Sequence, residues 1–178
     1  MDVLSLLKQD HRTVGALLDK ATACEPGDER LDALATEIEA ALTVHAGLEE
    51  KYFYPLLRKR AKESEDTVDV FEAYTEHALV KKLIELLKSP RQPGEQFKAE
   101  VQVLAENVKH HVKEEESKIF TLARELLDGD ELEKLGATMA AAKQRLTASR
   151  GRSAKRAPAK KRSPARKTAP ARKKRTKR

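Results

Sequence analysis

Residues 45–54 read His-Ala-Gly-Leu-Glu-Glu-Lys-Tyr-Phe-Tyr, and residues 111–120 read His-Val-Lys-Glu-Glu-Glu-Ser-Lys-Ile-Phe. The two stretches align without a gap, because each has a histidine, a pair of glutamates that starts four residues later, and an aromatic residue at its end. A spacing of four residues places two side chains on the same face of an α-helix. The repeat therefore predicts two equivalent helices, each of which directs an imidazole and a carboxylate the same way.

The sequence around these stretches predicts helices throughout the first 147 residues. Apolar residues recur at alternating intervals of three and four, which is the inward seam of a bundle helix, and no segment alternates as a strand does. Pro55 lies inside the second pattern and should kink that helix or end its regular part. We expect four long helices and a shorter fifth, at about 2–23, 28–61, 65–88, 95–127 and 131–147. Short connections between the long helices predict an all-α, antiparallel up-down-up-down four-helix bundle over residues 1–128.

Each of the four inward seams carries one histidine, and two seams also carry a glutamate one turn later. A buried carboxylate costs free energy unless it is paired or bound to a metal. Imidazole and carboxylate ligands suit iron, manganese or zinc, and two carboxylates that can bridge favour a two-metal centre. The alternative is a set of ordinary buried histidines paired with the two glutamates. The candidate ligands are His11, His45, Glu49, His77, His111 and Glu115.

Three further polar residues flank these seams. His110 is next to His111 and is rotated by about 100° from the seam, so we expect it behind the ligands or in solvent. Glu50 and Glu116 directly follow the two seam glutamates and could approach a metal from the edge.

The ordered set of motifs resembles the hemerythrin-like, or HHE cation-binding, domain. The matching elements are a histidine, two H-x-x-x-E motifs and a Glu-His pair, at His11, His45 to Glu49, His111 to Glu115 and Glu76-His77. The resemblance covers about residues 1–128 and implies a four-helix bundle with two iron ions, bridged by two carboxylates and an oxygen, with manganese or zinc less favoured. By analogy, His11 and His45 would ligate one iron, His77 and His111 the other, and Glu49 and Glu115 would bridge them.

The resemblance implies a centre that binds O₂ or nitric oxide, senses oxygen or redox state, stores iron or handles peroxide. One departure narrows this range. Oxygen-carrying hemerythrins place two histidines one turn apart on the third helix, whereas Ala73 and Lys81 lie one turn from His77. A glutamate, a tyrosine (Tyr54 or Tyr74) or water could complete the site. The departure favours a sensor, an iron binder or a peroxide-consuming, catalase-like protein over an oxygen carrier.

Residues 148–178 form a separate, strongly basic segment. They hold 15 of the 36 Lys and Arg residues and no Asp or Glu, whereas residues 1–147 carry a net charge of −8. The segment has no Leu, Ile, Val, Phe or Tyr to bury, and its regularly spaced prolines oppose a long helix. It resembles the Lys-Ala-Pro tails of linker histones. We expect a disordered tail that binds duplex nucleic acid without reading its sequence, through Arg150, Arg152, Lys155, Arg156, Lys160, Lys161, Arg162, Arg166, Lys167, Arg172, Lys173, Lys174, Arg175, Lys177 and Arg178.

Other roles for the tail remain open at this point: a solubility tail, an anchor to anionic membranes, or an arm that covers the acidic bundle. A single cysteine, Cys24, excludes a disulfide scaffold and fits a reducing compartment. No apolar run reaches the roughly 18 residues that a membrane span needs, so we expect no membrane partner and a cytoplasmic protein, or a nucleoid-associated one if the tail binds DNA. The alternative function is an architectural DNA-binding protein whose bundle needs no metal. Residues 129–147 would then be a short helix between bundle and tail.

Overall fold

The computed structural model of the protein describes residues 1–88 and 94–156, and all regular elements within these ranges are helical. Two π-helical turns, π1 and π2, interrupt the two longest rods. The elements are α1 (Val3–Ala23), α2 (Arg30–Leu48), π1 (Glu49–Phe53), α3 (Tyr54–Arg60), α4 (Ser64–Leu87), α5 (Glu95–Glu114), π2 (Glu115–Ile119), α6 (Phe120–Leu126) and α7 (Gly129–Arg156). Since α2, π1 and α3 are continuous, as are α5, π2 and α6, the described residues form five rods. The all-α bundle is confirmed.

Local chemistry explains where the first rods begin and end. The Asp2 side chain caps α1 by accepting the Ser5 backbone N–H at 2.9 Å. The turn after α1 contains Gly27 at φ 88°, a left-handed conformation that glycine adopts without strain. Asp28 then accepts the backbone N–H of Arg30 at 2.9 Å, so that α2 begins at Arg30 rather than at 28.

The four seam histidines divide the hydrophobic core into two clusters. Beside α7, the first cluster includes Leu7, Phe53, Tyr54, Leu57, Phe120 and Met139. Toward the other end of the bundle, the second includes Leu18, Leu31, Ile38, Phe97 and Leu104. The histidines lie at the boundary between the two clusters. On α1, for example, His11 lies between Leu7 of the first cluster and Val14 of the second. The polar centre therefore has well-packed apolar layers on both sides, which hold its side chains in place.

The π turns begin at the two seam glutamates. In each turn a backbone N–H donates to a carbonyl five residues earlier, from Tyr54 to Glu49 and from Phe120 to Glu115. Pro55 follows the first turn, in agreement with the prediction that the regular helix ends near it. The rod formed by α5, π2 and α6 has no proline and still contains a π turn, so proline is not the cause of that turn. Such turns occur frequently at functional sites.

The extra residue in each π turn changes which side chains face the bundle centre. Residues nine apart in a regular α-helix lie about half a turn from each other, at about 100° per residue. One inserted residue removes about 100° of this rotation. It brings Tyr54 toward the face of His45, and Phe120 toward the face of His111. The aromatic residue that ends each repeat is consequently buried beside the polar centre.

The last helix corrects one sequence prediction. We expected a helix that ends at 147 and a disordered tail from 148, but α7 continues to Arg156. The prediction for residues 148–156 was therefore wrong. No proline occurs between Gly129 and Pro158, and the Ala, Arg and Lys residues of 148–156 are good helix formers. The predicted disorder of 157–178 lies outside the described residues.

Helix α7 packs against α1 and α2. Gly136 permits the close approach, because a Cβ atom added there would lie 2.5 Å from the Met1 carbonyl oxygen. Farther along, the Lys143 ammonium pairs with the Asp10 carboxylate of α1. Across the described part of the chain, no helix combines the length and the apolar character that crossing a membrane needs.

Candidate metal centre

The structure brings all six predicted ligands together in the middle of the bundle. They come from α1, the α2–π1 junction, α4 and the α5–π2 junction, so that four of the five rods contribute. Each side chain is buried, and the exposed fractions are 5% for His11, 4% for His45, 0% for Glu49, 3% for His77, 4% for His111 and 1% for Glu115.

The donor atoms form two groups. The first group contains His11, His45, Glu49 and Glu115. Within it, His11 Nε2 lies 3.1 Å from Glu115 Oε2, and His45 Nε2 lies 3.2 Å from Glu49 Oε2. This group contains two imidazoles and two carboxylates from three rods.

The second group contains Glu49, His77 and His111, and so shares Glu49 with the first. His77 Nε2 lies 3.3 Å from Glu49 Oε2 and 3.1 Å from His111 Nε2. His111 Nε2 is 3.8 Å from Glu115 Oε2. Metal–nitrogen bonds of about 2.1 Å place neighbouring ligands of one ion about 3.0–3.4 Å apart. The donor spacings in both groups therefore suit ligands of an ion.

Several buried donor atoms of the centre have no hydrogen-bond partner among the described residues. They are His11 Nε2, both ring nitrogens of His45, both carboxylate oxygens of Glu49, and Glu115 Oε2. A buried ion without a partner costs several kcal/mol. A cation among these atoms would satisfy all of them at once except His45 Nδ1, which faces outward. The residues present therefore fit a metal site.

Three of the four imidazoles are held from behind by carboxylates that accept a hydrogen bond from Nδ1. The pairs are His11 with Glu116 at 2.8 Å, His77 with Glu50 at 3.0 Å, and His111 with Glu76 at 2.8 Å. Because a carboxylate accepts, Nδ1 carries the proton, and the lone pair of Nε2 points into the centre. The Nε2 lone pairs of His77 and His111 then face each other at 3.1 Å, an arrangement that a cation beside them stabilises.

The fourth imidazole has a more distant partner. His45 Nδ1 lies 3.9 Å from Asp10 Oδ2, which is longer than a hydrogen bond. The other oxygen of Asp10 pairs with Lys143 of α7. Helix α7 thus contacts the centre indirectly, because its Lys143 holds the Asp10 carboxylate that lies behind His45.

The flanking residues predicted from the sequence take different positions. Glu50 and Glu116 support imidazoles from behind, and His110 is 64% exposed on the surface. The Tyr54 hydroxyl donates to Glu115 Oε1 at 2.9 Å and lies 3.5 Å from His77 Nε2. The Tyr74 hydroxyl instead donates to a backbone carbonyl, that of Glu50, at 3.3 Å. Of the two tyrosines, Tyr54 is the one inside the centre.

Sequence reasoning gave no role at the site to three residues that support it: Asp10, Glu76, which was named only as part of the Glu76-His77 pair, and Lys143. A signal existed for the first two, because each directly precedes a seam histidine. Each supports the histidine of a neighbouring helix instead, since Asp10 faces His45 and Glu76 binds His111. No local pattern identifies Lys143, because its role depends on how α7 docks.

Burial and neighbouring charges shift the pKa values of the centre in opposite directions. Burial lowers the pKa of His45 to about 4. Burial opposes protonation of His11 as well, but the negative charges of Glu115 and Glu49 and the hydrogen bond to Glu116 raise the pKa of His11 to about 9. Burial and the charge of Glu115 raise the pKa of Glu49 well above its usual value. For Glu115, burial is outweighed by His11, so its pKa is lowered. The two carboxylates are thus electrostatically unequal.

An apolar cavity of about 170 Å³ lies against the four imidazoles. Aliphatic side chains of the second core cluster form most of its wall, among them Val14, Leu42, Val80, Ile84 and Val108. The centre therefore has carboxylates and Tyr54 on one side and an apolar space on the other.

Comparisons with known proteins agree with this architecture. The profile of the Hemerythrin HHE cation binding domain matches residues 2–123, which contain all six candidate ligands. A crystal structure of a Hemerythrin HHE cation binding domain-containing protein from Mycobacterium kansasii matches with a TM-score of 0.75. The two chains are 24% identical, and the match covers 88% of this chain and 93% of that one. This likeness supports the fold.

A curated protein named DNA nickase, from Nostoc sp. (strain PCC 7120), is 29% identical over 154 residues. The match covers 86% of this chain and 42% of that protein, so the chain spans less than half the length of this relative. The family profile, in contrast, extends over more than half of the chain and includes the whole candidate centre. The chain therefore belongs to the hemerythrin HHE cation-binding domain family.

Proposed function

We propose that the chain holds two iron ions at this centre and binds or reacts with a small oxidant, namely O₂, nitric oxide or peroxide. The observation that carries the proposal is the pair of donor groups that share Glu49. One ion needs only one such group, whereas two groups with a common carboxylate suit two neighbouring ions. Imidazole and carboxylate donors also suit manganese and zinc, and iron is favoured by the family resemblance.

The protein's own residues prepare the donors for metal. The carboxylates behind the imidazoles fix the ring tautomer and make Nε2 a better ligand. Iron, when bound, supplies redox electrons and an open coordination position. Helix α4 carries His77 but no second histidine one turn away. The Tyr54 hydroxyl lies 3.5 Å from His77 Nε2, which supports the proposal that this phenol takes the place of the missing imidazole. The residues one turn away cannot replace it, since Lys81 instead pairs with Glu50 at 2.6 Å.

The cavity beside the imidazoles supports O₂ and nitric oxide over peroxide as ligands. Its wall is almost entirely apolar, and a polar molecule loses hydrogen bonds with water when it enters such a space. O₂ and nitric oxide lose little. Steady oxygen evolution from added hydrogen peroxide, abolished by His77→Ala, would instead assign catalase-like turnover to the centre.

Metal analysis and the optical spectrum of aerobically purified protein test the proposal. We expect two equivalents of iron and a charge-transfer absorption of the iron centre. His45→Ala should lose metal, whereas the matched control His110→Ala should keep its full iron content, because His110 is exposed. Equal iron in wild type and His45→Ala would contradict the ligand assignment, and iron far below one equivalent in the wild type would contradict the function.

We also propose that the basic segment tethers the bundle to nucleic acid. The support is its 15 cations without an acidic residue, together with a relative whose name refers to DNA. A tail that makes about six to ten phosphate contacts loses roughly 10³–10⁵ in affinity between 50 and 200 mM salt. We do not extend nicking to this chain, because the six donor residues are at most 5% exposed and a duplex phosphate cannot reach them.

Two truncations test the tether. Ending the chain at Arg156 removes eleven of the predicted tail cations and keeps α7 whole, whereas ending it at Thr147 removes all fifteen. We expect the first truncation to abolish most retardation of duplex DNA in a gel, and the second to abolish the rest. Unchanged retardation by the Thr147 truncation would place DNA binding on the bundle and contradict the proposal.

A further inference from the structure

A third group of donor atoms lies on the surface between α4 and α5. It consists of Glu76, His110 and Glu114, whose donor atoms all lie within 4.8 Å of one another. His110 Nε2 is 3.5 Å from Glu76 Oε1 and 3.8 Å from Glu114 Oε2. The imidazole is 64% exposed, while the glutamates are 20% and 27% exposed. One imidazole and two carboxylates form a donor set for a divalent first-row transition cation.

Glu76 links this surface group to the buried centre. One of its oxygens faces His110, and the other accepts the hydrogen bond from His111 Nδ1 at 2.8 Å. His111 is itself a member of the second donor group. A cation at the surface group would therefore be one carboxylate and one imidazole away from the centre.

A narrow acidic pocket provides a second connection between the two places. It has a volume of about 10 Å³, roughly the space of one water molecule. Its polar wall residues are Asp69, Glu72, Glu76, Glu114, Glu115 and Lys118. Glu115 is 1% exposed and belongs to the first donor group, and its Oε2 atom accepts no hydrogen bond in the described chain. The pocket is thus lined both by surface carboxylates and by Glu115, whose Oε2 atom lies 3.1 Å from His11 Nε2 within the first donor group.

The charges along this pocket favour a cation. Five carboxylates line it, and Lys118 is the cation among its lining residues. The Lys118 ammonium lies 3.4 Å from both Glu72 and Glu114. A positive charge is therefore already stabilised between these two carboxylates. A cleft with charges of one sign concentrates counter-ions and raises their rate of entry.

We propose that Glu76, His110 and Glu114 form a surface site for a divalent transition cation, and that the cation passes from it along the acidic pocket to the buried centre. The proposal rests on the function proposed above, because it requires that centre to bind metal. The imidazole favours Fe²⁺, Mn²⁺ or Zn²⁺ over Mg²⁺ and Ca²⁺, which prefer oxygen ligands alone. The surface ligands would replace hydration water in steps, which lowers the cost of moving the ion inward.

Iron uptake by the full metal-free chain tests the loading role. The variant H110A/E114Q removes two surface ligands and one negative charge, and E125Q removes one negative charge at an exposed position of α6. After Fe²⁺ is added without oxygen, a chromophoric chelator traps the iron that has not yet been buried. We expect the initial rate of uptake to fall at least about tenfold in H110A/E114Q and to be unchanged in E125Q. The final iron content should be equal in all three chains. Equal initial rates would overturn the loading role.

A Zn²⁺ titration tests the surface site separately. Protein whose centre already holds iron is titrated with Zn²⁺ by calorimetry. We expect wild type and E125Q to bind one further Zn²⁺ and H110A/E114Q to bind none. A wild type that binds no further Zn²⁺, or a double variant that binds it equally, would overturn the site. If the wild type takes up no iron, the proposed function and the loading role both fail, and the surface site is then decided by whether the wild type binds one more Zn²⁺ than H110A/E114Q does.

Discussion

The two repeats, His45–Tyr54 and His111–Phe120, build a symmetric set of donors but an asymmetric environment. Each repeat starts a π turn at its first glutamate, and each uses its second glutamate to support a histidine of another rod. They differ at seven of their ten positions, and the last residue is one of these. The Tyr54 hydroxyl donates to Glu115 at 2.9 Å, whereas the Phe120 ring stacks on His11 with centroids 5.9 Å apart.

The two carboxylates of the repeats are also unequal. Glu115 receives a hydrogen bond from Tyr54, while neither oxygen of Glu49 accepts one within the described residues. The pKa of Glu49 is raised by burial and by Glu115, and that of Glu115 is lowered because His11 outweighs burial. The duplicated motifs therefore supply two similar pairs of donors, while His11 and the residue at the end of each repeat give the two carboxylates different surroundings.

The largest expected effect comes from removing one carboxylate at a time. Glu49 belongs to both donor groups and Glu115 to the first one. We expect E49Q to lose both ions, because a neutral amide no longer balances their charge, and E115Q to retain an ion in the second group. Elemental analysis of the purified variants measures this difference, with E125Q as the control that keeps both ions. Equal metal content in E49Q and E115Q would show that the repeats are equivalent.

Removal of the metal should have the next largest effect, because the proposed ions would join residues of all four bundle rods. Ligand present at about 1,000 times its dissociation constant stabilises the folded state by about 4 kcal/mol. For a chain of this size that corresponds to a shift in Tm of roughly 10 °C. We expect a strong chelator to lower the Tm of the wild type by this amount and to leave the Tm of E49Q unchanged. An unaltered wild-type Tm would favour an architectural bundle that needs no metal.

The repeats also show how much the sequence predicts. The six polar residues lie on the inward seams of helices, and the seams can be recognised from the spacing of apolar residues along the chain. The fold class and the clustering of these six side chains could therefore be predicted from that spacing and from the family resemblance. The π turns did not follow, since Pro55 signals only one of them. Without the extra residue of the π turn, a regular helix would direct Tyr54 away from the face of His45. The choice between Tyr54 and Tyr74 therefore required the structure.

The supporting residues were predictable only in part. Glu50 and Glu116 were expected near the metal edge, and they lie behind imidazoles of other rods. Which imidazole each one reaches depends on the register between rods, which no single helix pattern contains. No sequence pattern indicates the role of Lys143. Its pairing with Asp10 depends on how α7 docks on α1, which in turn requires the close approach at Gly136.

A smaller effect is expected when the carboxylates behind the imidazoles are removed. Substitution of such partners typically weakens metal binding about 10- to 100-fold. We expect E50Q and E116Q both to keep two ions at saturation, but to release metal to a competing chelator more readily than the wild type. E50Q should show the larger loss, because Glu50 also binds Lys81 at 2.6 Å while Lys8 lies 3.8 Å from Glu116. Identical release by E50Q and the wild type would mean that the support of His77 is unimportant.

The smallest expected effect comes from making the two repeats alike at their last residue. Tyr54→Phe removes the hydroxyl that donates to Glu115, and the ring keeps its packing beside Phe53 and Tyr74. Loss of one hydrogen bond to a buried carboxylate should lower the free energy of unfolding of the metal-free chain by about 1–2 kcal/mol. Denaturant unfolding measures this change, with Tyr74→Phe as a control that removes a half-buried hydroxyl bound to a backbone carbonyl. Both variants should retain two ions, but only Tyr54→Phe should shift the absorption of the iron centre. An unchanged spectrum in Tyr54→Phe would mean that the hydroxyl is not the feature that distinguishes the two sides of the centre.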